Sequence, residues 1–219
     1  MGANDKILHL QRLLAARFPS TPGATCSRLT TGLFSLDQAA GGGLPQAAVT
    51  EVINSEKSAG SASLVHALLH ATHRNNYFLA LIDGRDSFDP CGLRDSVLSH
   101  LLWVRCAKAL EAVKAADLLL RDGNFPLVIV DLVLNPAEEL RKIPQTTWYR
   151  LQRLAESAPA ACLVLTRQEM VSSAQLKLVL ENSWSLSTLE DEKAIGQLRF
   201  RVCRLHLRSV ANSPWSAVD

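Results

Sequence analysis

Residues 47–69, AAVTEVINSEKSAGSASLVHALL, restrict the fold more than any other stretch of the chain. Val49 to Ile53 reads as a short apolar strand, Asn54 to Ser63 as a small-residue loop, and the following residues as an amphipathic helix. A strand that passes through such a loop into a helix is the layout of a phosphate-binding loop at the front of an α/β sheet. The chemistry of that loop needs three things. Glycines let backbone N–H groups surround the phosphate, a lysine balances the β/γ charge, and a Ser or Thr hydroxyl binds Mg²⁺. Gly60 stands where the last glycine belongs, but Ser61 replaces the lysine and Ala62 the hydroxyl. The first glycine has become Asn54 or Ser55, depending on a one-residue insertion, and Lys57 falls too early for the usual reach. Loss of the lysine removes a charged contact worth roughly a few kcal/mol. The expectation is a nucleotide-binding frame without its catalytic groups, with no nucleotide hydrolysis and no resident cofactor. Gly60, Ser61, Ala62 and Ser63 form the degenerate site together with Asp131, the acid that ends the strand VIVD. Binding of ATP and Mg²⁺ is the alternative.

Elsewhere apolar runs alternate with helical patterns. Residues 5–18 place Ile7, Leu10 and Leu14 on one helical face, and Pro19 begins a linker. This predicts an N-terminal amphipathic helix and linker over 1–20 and a core domain over 21–219. The triple glycine Gly41–Gly43 and Pro45 predict a turn anchored by Leu33, Leu36 and Leu44. Tyr77 to Ile82 reads as a strand buried on both faces, Leu127 to Val130 as another buried strand, and Leu101 to Val104 and Ala161 to Leu165 as further strands. Helices are expected after the loop up to Asn75-Asn76, over Leu93–Leu98, over Lys108–Arg121 before Asp122-Gly123, over 136–157, and over Ser173–Leu180. Ser183 to Leu189 and Leu198 to Arg208 alternate as strands of a closing hairpin, and a shift of phase after Val202 predicts a bulge. The fold class is therefore α/β, with a mostly parallel central sheet, helices on both faces and a C-terminal antiparallel β-hairpin.

A net charge of +2 excludes a strongly basic shell and leaves room for a local basic patch. The five cysteines form no CxxC pair, and three lie in apolar runs that read as buried strands, so free thiols in a reducing cytoplasm are expected. No signal pattern and no membrane-length apolar run is present, which predicts a soluble cytoplasmic protein with no membrane contact. His66 and His70 stand four apart but lack the acid that usually accompanies such a metal pair, so no metal site is expected.

Taken in order, TGLFSLDQAAGGGLPQAAVTEV, LIDGRDSFDP, LVIVD and RSVANSPW resemble the RecA recombinases over residues 30 to 215. The lead-in segment, the acidic loop and the short length are most similar to the ImuA family, RecA-like proteins of bacterial translesion mutagenesis cassettes. The resemblance implies a RecA-like core. It also places Arg85 where the water-activating glutamate would stand, and Thr166 or Arg167 near the phosphate-sensing glutamine. It implies a non-catalytic accessory protein of DNA-damage-induced, error-prone translesion synthesis. The partners would be the cassette's polymerase-like protein, an error-prone polymerase and RecA itself. Two alternatives remain, a divergent RecA-like ATPase and a RecA-like cell-division inhibitor. The basic residues Arg199, Arg201, Arg204 and Arg208 gather late and form a stripe on one strand face, a candidate for DNA or an acidic partner. Ile7, Leu10 and Leu14 offer a second contact face, for self-association or a partner. Trp103 and Trp148 read as core, and Trp215 as a contact of the tail.

Overall fold

A computed structural model describes residues 27–54, 60–182 and 198–205. The lead-in is a two-stranded antiparallel ribbon, β1 (Arg28–Leu29) with β2 (Leu44–Pro45), and between them lies a six-residue helix, α1 (Phe34–Ala39). The sequence patterning did not disclose α1. The ribbon closes tightly at Gly43, whose φ is +131° and where a Cβ would stand 2.6 Å from the Leu29 carbonyl oxygen, so only glycine fits.

The main sheet has seven strands among the described residues. They are β3 (Ala48–Ile53), β4 (Leu79–Asp83), β5 (Leu101–Arg105), β6 (Leu127–Asp131), β7 (Ala161–Thr166), β8 (Leu176–Leu180) and β9 (Phe200–Leu205). Their spatial order is β5-β4-β6-β7-β3-β8-β9. All neighbours are parallel except β8 and β9. The crossovers carry α2 (Ser61–Asn75), α3 (Asp95–Leu98), α4 (Ala109–Asp122), α5 (Ala137–Leu140) and α6 (Gln145–Ser157). The two longest crossover helices, α2 and α4, stop where the sequence says they should. Asn76 ends α2 at φ 53°, and Gly123 ends α4 at φ 72°.

Alternation along the central strands divides the core. From β6, Val128 and Val130 face a cluster with Ala112, Ala116 and Leu120 of α4 and Trp148 and Leu151 of α6. Leu127 and Ile129 face the opposite cluster, with Leu64, Leu68 and Leu69 of α2 and Leu36 of α1. Burial on both faces explains why these strands are continuous apolar runs rather than alternating ones. Trp148 is fully buried, as a core reading requires, and Trp103 is partly buried against the α2 side.

Two expectations are corrected. Ser173–Leu180 is not a helix, because Leu176–Leu180 forms β8, parallel to β3 and antiparallel to β9. Three leucines at alternate positions, Leu176, Leu178 and Leu180, are buried together and satisfy a strand better than a helix. The antiparallel close of the sheet is thus β8 with β9. The strand read at Ser183–Leu189 and the turn after it lie outside the described residues, as do the N-terminal helix and the boundary at residue 20. The predicted bulge is present. Lys177 pairs with Arg204 and Leu178 with Val202, which leaves Cys203 as the additional residue. Cys203 is consequently exposed rather than buried in a strand, whereas Cys106 and Cys162 are buried free thiols. No helix among the described residues is long and apolar enough to cross a membrane.

Candidate functional site

The carboxyl ends of β3, β4, β6 and β7 come level with one another. Ile53 pairs with Thr166, Asp83 with Asp131, and Asp131 with Leu165. Open parallel sheets bind ligands at this edge. Gly60 is the N-cap of α2, left-handed at φ 93°, and no side chain caps the helix. Ser61 and Ala62 open α2. Ser61 and Ser63 are half-buried and Ala62 is exposed. Lys57 lies outside the described residues.

Asp131 ends β6 half-buried, and its Oδ1 accepts a hydrogen bond from the Val133 N–H at 3.0 Å. Burial pushes its carboxyl up to about 6, and the neighbouring Asp83 carboxylate adds to the rise. The Val133 bond opposes the rise only in part.

Asp83 holds the acidic loop in place. Its carboxylate accepts the N–H groups of Arg85 at 3.2 Å and of Ser87 and Phe88 at 2.7 Å. Arg85, at the position of the water-activating glutamate, points to Glu139 at 3.8 Å and donates to the Ala107 carbonyl at 3.1 Å. Asp86 and Arg105 form a two-bond pair at 2.5 and 2.6 Å, and the Arg105 guanidinium lies 5.0 Å from the Trp103 ring centre.

Residues that the sequence reading did not single out complete the site. Asn135 is buried after β6 and donates to the Gly84 carbonyl at 2.8 Å. Gly84 must be glycine, because a Cβ there would meet Asn135 Oδ1 at 2.4 Å and the Asp131 carbonyl oxygen at 2.7 Å. Glu51, in the strand that leads to the loop, is fully buried. Its Oε1 accepts from Thr166 Oγ1 at 3.2 Å and from the Met170 and Val171 N–H groups at 2.8 and 3.1 Å. Its Oε2 faces Lys177 Nζ at 3.1 Å, an ion pair rather than an aligned hydrogen bond. Lys177 also reaches Glu169 at 2.7 Å. Thr166, near the sensor position, is therefore turned into the sheet, while Arg167 and Gln168 are exposed.

The late arginines are exposed but largely engaged. Arg201 pairs with Glu181 at 2.5 Å, and Arg204 donates to the Ser172 carbonyl at 3.3 Å. The Arg199 side chain is exposed and its backbone N–H bonds Asn182. Arg208, Ile7, Leu10 and Leu14 lie outside the described residues. Among the described residues no group of three His, Cys, Asp or Glu side chains could hold a metal. His66 and His70 do not converge with a third ligand, since the His66 ring meets the Asp89 carbonyl and the Phe88 ring instead.

This frame agrees with what the chain is similar to. Protein RecA of Chlorobaculum tepidum is 32% identical over 117 residues, which is 51% of this chain and 34% of that protein. The chloroplastic DNA repair protein recA homolog 1 of Arabidopsis thaliana is 29% identical over 128 residues, covering 57% of this chain and 29% of that protein. Protein RecA of Dichelobacter nodosus is 32% identical over 117 residues, 51% and 33% of the two chains. The match thus spans about a third of each relative's length. Residues 18–147, more than half of the chain, match the RecA N-terminal domain family, and the parallel sheet agrees with that match, so the chain belongs to that family.

Proposed function

We propose that this RecA-family chain does not turn over nucleotide and acts through protein contacts in DNA-damage-induced, error-prone translesion synthesis. The carrying observation is the start of α2, where Ser61 and Ala62 occupy the positions of the phosphate lysine and the metal-binding hydroxyl. These groups do not fit a magnesium triphosphate. One further feature favours the reading: Arg85 is directed at Glu139, away from a catalytic role. By its resemblance to the ImuA family, the scaffold serves a cassette polymerase-like protein, an error-prone polymerase and RecA, and it associates through the face of Ile7, Leu10 and Leu14. The cytoplasm is its compartment in this reading.

Steady-state hydrolysis of ATP with Mg²⁺, with and without single-stranded DNA, tests the proposal. The expected outcome is no turnover above background in either case. Turnover abolished by Asp131→Asn would establish a divergent ATPase instead.

DNA contact through Arg199, Arg201, Arg204 and Arg208 belongs to the same proposal. Alanine at all four is expected to weaken single-stranded DNA binding by about tenfold at low salt. Unchanged affinity in an anisotropy titration would remove the stripe as the site.

A further inference from the structure

Away from the loop, α2 turns a second surface toward solvent. A groove of about 410 Å³ lies between α2, the residues ahead of α1 and the residues ahead of α3. His70, His73 and Arg74 of α2 and Arg94 from the neighbouring segment line it, and Ala67 and Val97 form its buried apolar floor. Among the described residues no carboxylate lines it.

Five arginines elsewhere in the fold, Arg85, Arg105, Arg121, Arg150 and Arg201, are neutralised by carboxylates. Among the described residues neither the Arg74 nor the Arg94 guanidinium has an ion pair or hydrogen bond. The field is felt locally. The ordinary His70 value is lowered, first by burial and then by the positive charges of His66, Arg94, Arg74 and His73. Arg74 and His73 do complement the carboxyl end of α2, as basic residues in a last turn commonly do. Arg94 has no such reason to be there. It comes from another segment, and like charges brought together raise the energy of the free protein until an anion enters.

We propose that this groove docks an acidic peptide segment of a protein partner. Its carboxylates would lie against Arg74 and Arg94 and one apolar side chain over Ala67 and Val97. The shape favours peptide over nucleic acid. Single-stranded nucleic acid takes a long cationic track with aromatic platforms for its bases. This groove is short, its floor is aliphatic, and among the described residues neither Phe, Tyr nor Trp lines it. The inference stands apart from the state of the phosphate loop, so it can fail while the absence of turnover holds, or hold while that fails.

Fluorescence anisotropy on the full chain tests it. The probes are a short peptide of alternating Glu and Asp with one Leu, the same peptide with Gln and Asn in place of the acids, and a single-stranded oligonucleotide. The acidic peptide is expected to bind at least about tenfold tighter than its neutral counterpart. That preference should disappear in Arg74→Glu/Arg94→Glu and shrink as salt screens the groove. Arg94→Gln alone, at an exposed position, serves if the double reversal impairs folding, and it should lose about threefold or more. Equal binding of the acidic and neutral peptides, or acidic-peptide affinity unaffected by either variant, overturns the proposal. So does an oligonucleotide that binds more tightly than the peptide and loses its affinity in the same variants, since the groove would then belong to nucleic acid.

Discussion

Lys177→Met is expected to lower the free energy of unfolding by about 3–5 kcal/mol. Lys177 is 2% exposed and its ammonium faces the fully buried Glu51 carboxylate. Removing the cation leaves that carboxylate charged inside the sheet, with only Thr166 and the Met170 and Val171 N–H groups as partners. The cost comes from the stranded charge and not from the net worth of the pair, which a well-packed neutral arrangement can match. Glu51→Gln/Lys177→Met should therefore recover a large part of the loss. Glutamine still offers an oxygen to the two N–H groups, and the charge is gone. Glu169→Gln should change little, because that partner sits at the solvent boundary, 65% exposed. Urea unfolding of the three variants settles the matter. A loss under about 1 kcal/mol for Lys177→Met would mean that the pair is not buried in solution.

Asp131→Asn is expected to stabilise the protein at neutral pH and to do little at pH 4. An aspartate that ionises near 3.8 unfolded and near about 6 folded binds its proton more tightly in the native state. Below the unfolded value both states are protonated and the shift costs nothing. Stability then falls as pH rises between about 4 and 6, and above about 6 the full penalty of roughly 2–3 kcal/mol is present. Asparagine removes the charge and keeps an oxygen for the Val133 N–H. The variant should gain about 1–2 kcal/mol at pH 7, less than the full penalty because the site is half-buried and an amide also loses hydration. Denaturant titrations at the two pH values give the answer. A gain of the same size at both would show that charge is not the cause.

Most of the fold was readable because strands buried on both faces leave continuous apolar runs, as at Leu127–Val130, and because Asn75-Asn76 and Asp122-Gly123 mark helix ends. What was hidden involves polar groups whose partners are remote in sequence. Glu51 and Lys177 meet across more than a hundred residues, and each looks like an ordinary surface charge in its own segment. Ser173–Leu180 read as a helix because a serine stood at its start, whereas pairing with β3, remote in sequence, makes Leu176–Leu180 a strand. Asn135 escaped notice because its task, holding the Gly84 carbonyl, is set by the pairing of β4 with β6. The strand at Ala48–Ile53 and the helix that opens after Gly60 were legible because they lie in one contiguous stretch. α1 was lost to its brevity.

Cys203 carries a consequence for the rim of the sheet. Cross-strand partners share a side, so Phe200 and Val202 go with Leu180 and Leu178, while Arg201 and Arg204 go with Val179 and Lys177. Odd and even numbering changes meaning at the unpaired thiol. Were Cys203 to take an ordinary place in the ladder, strict two-residue alternation would send Arg204 to the side opposite Arg201. The spare residue thus acts as a parity correction that keeps two guanidinium groups, three positions apart, aimed the same way.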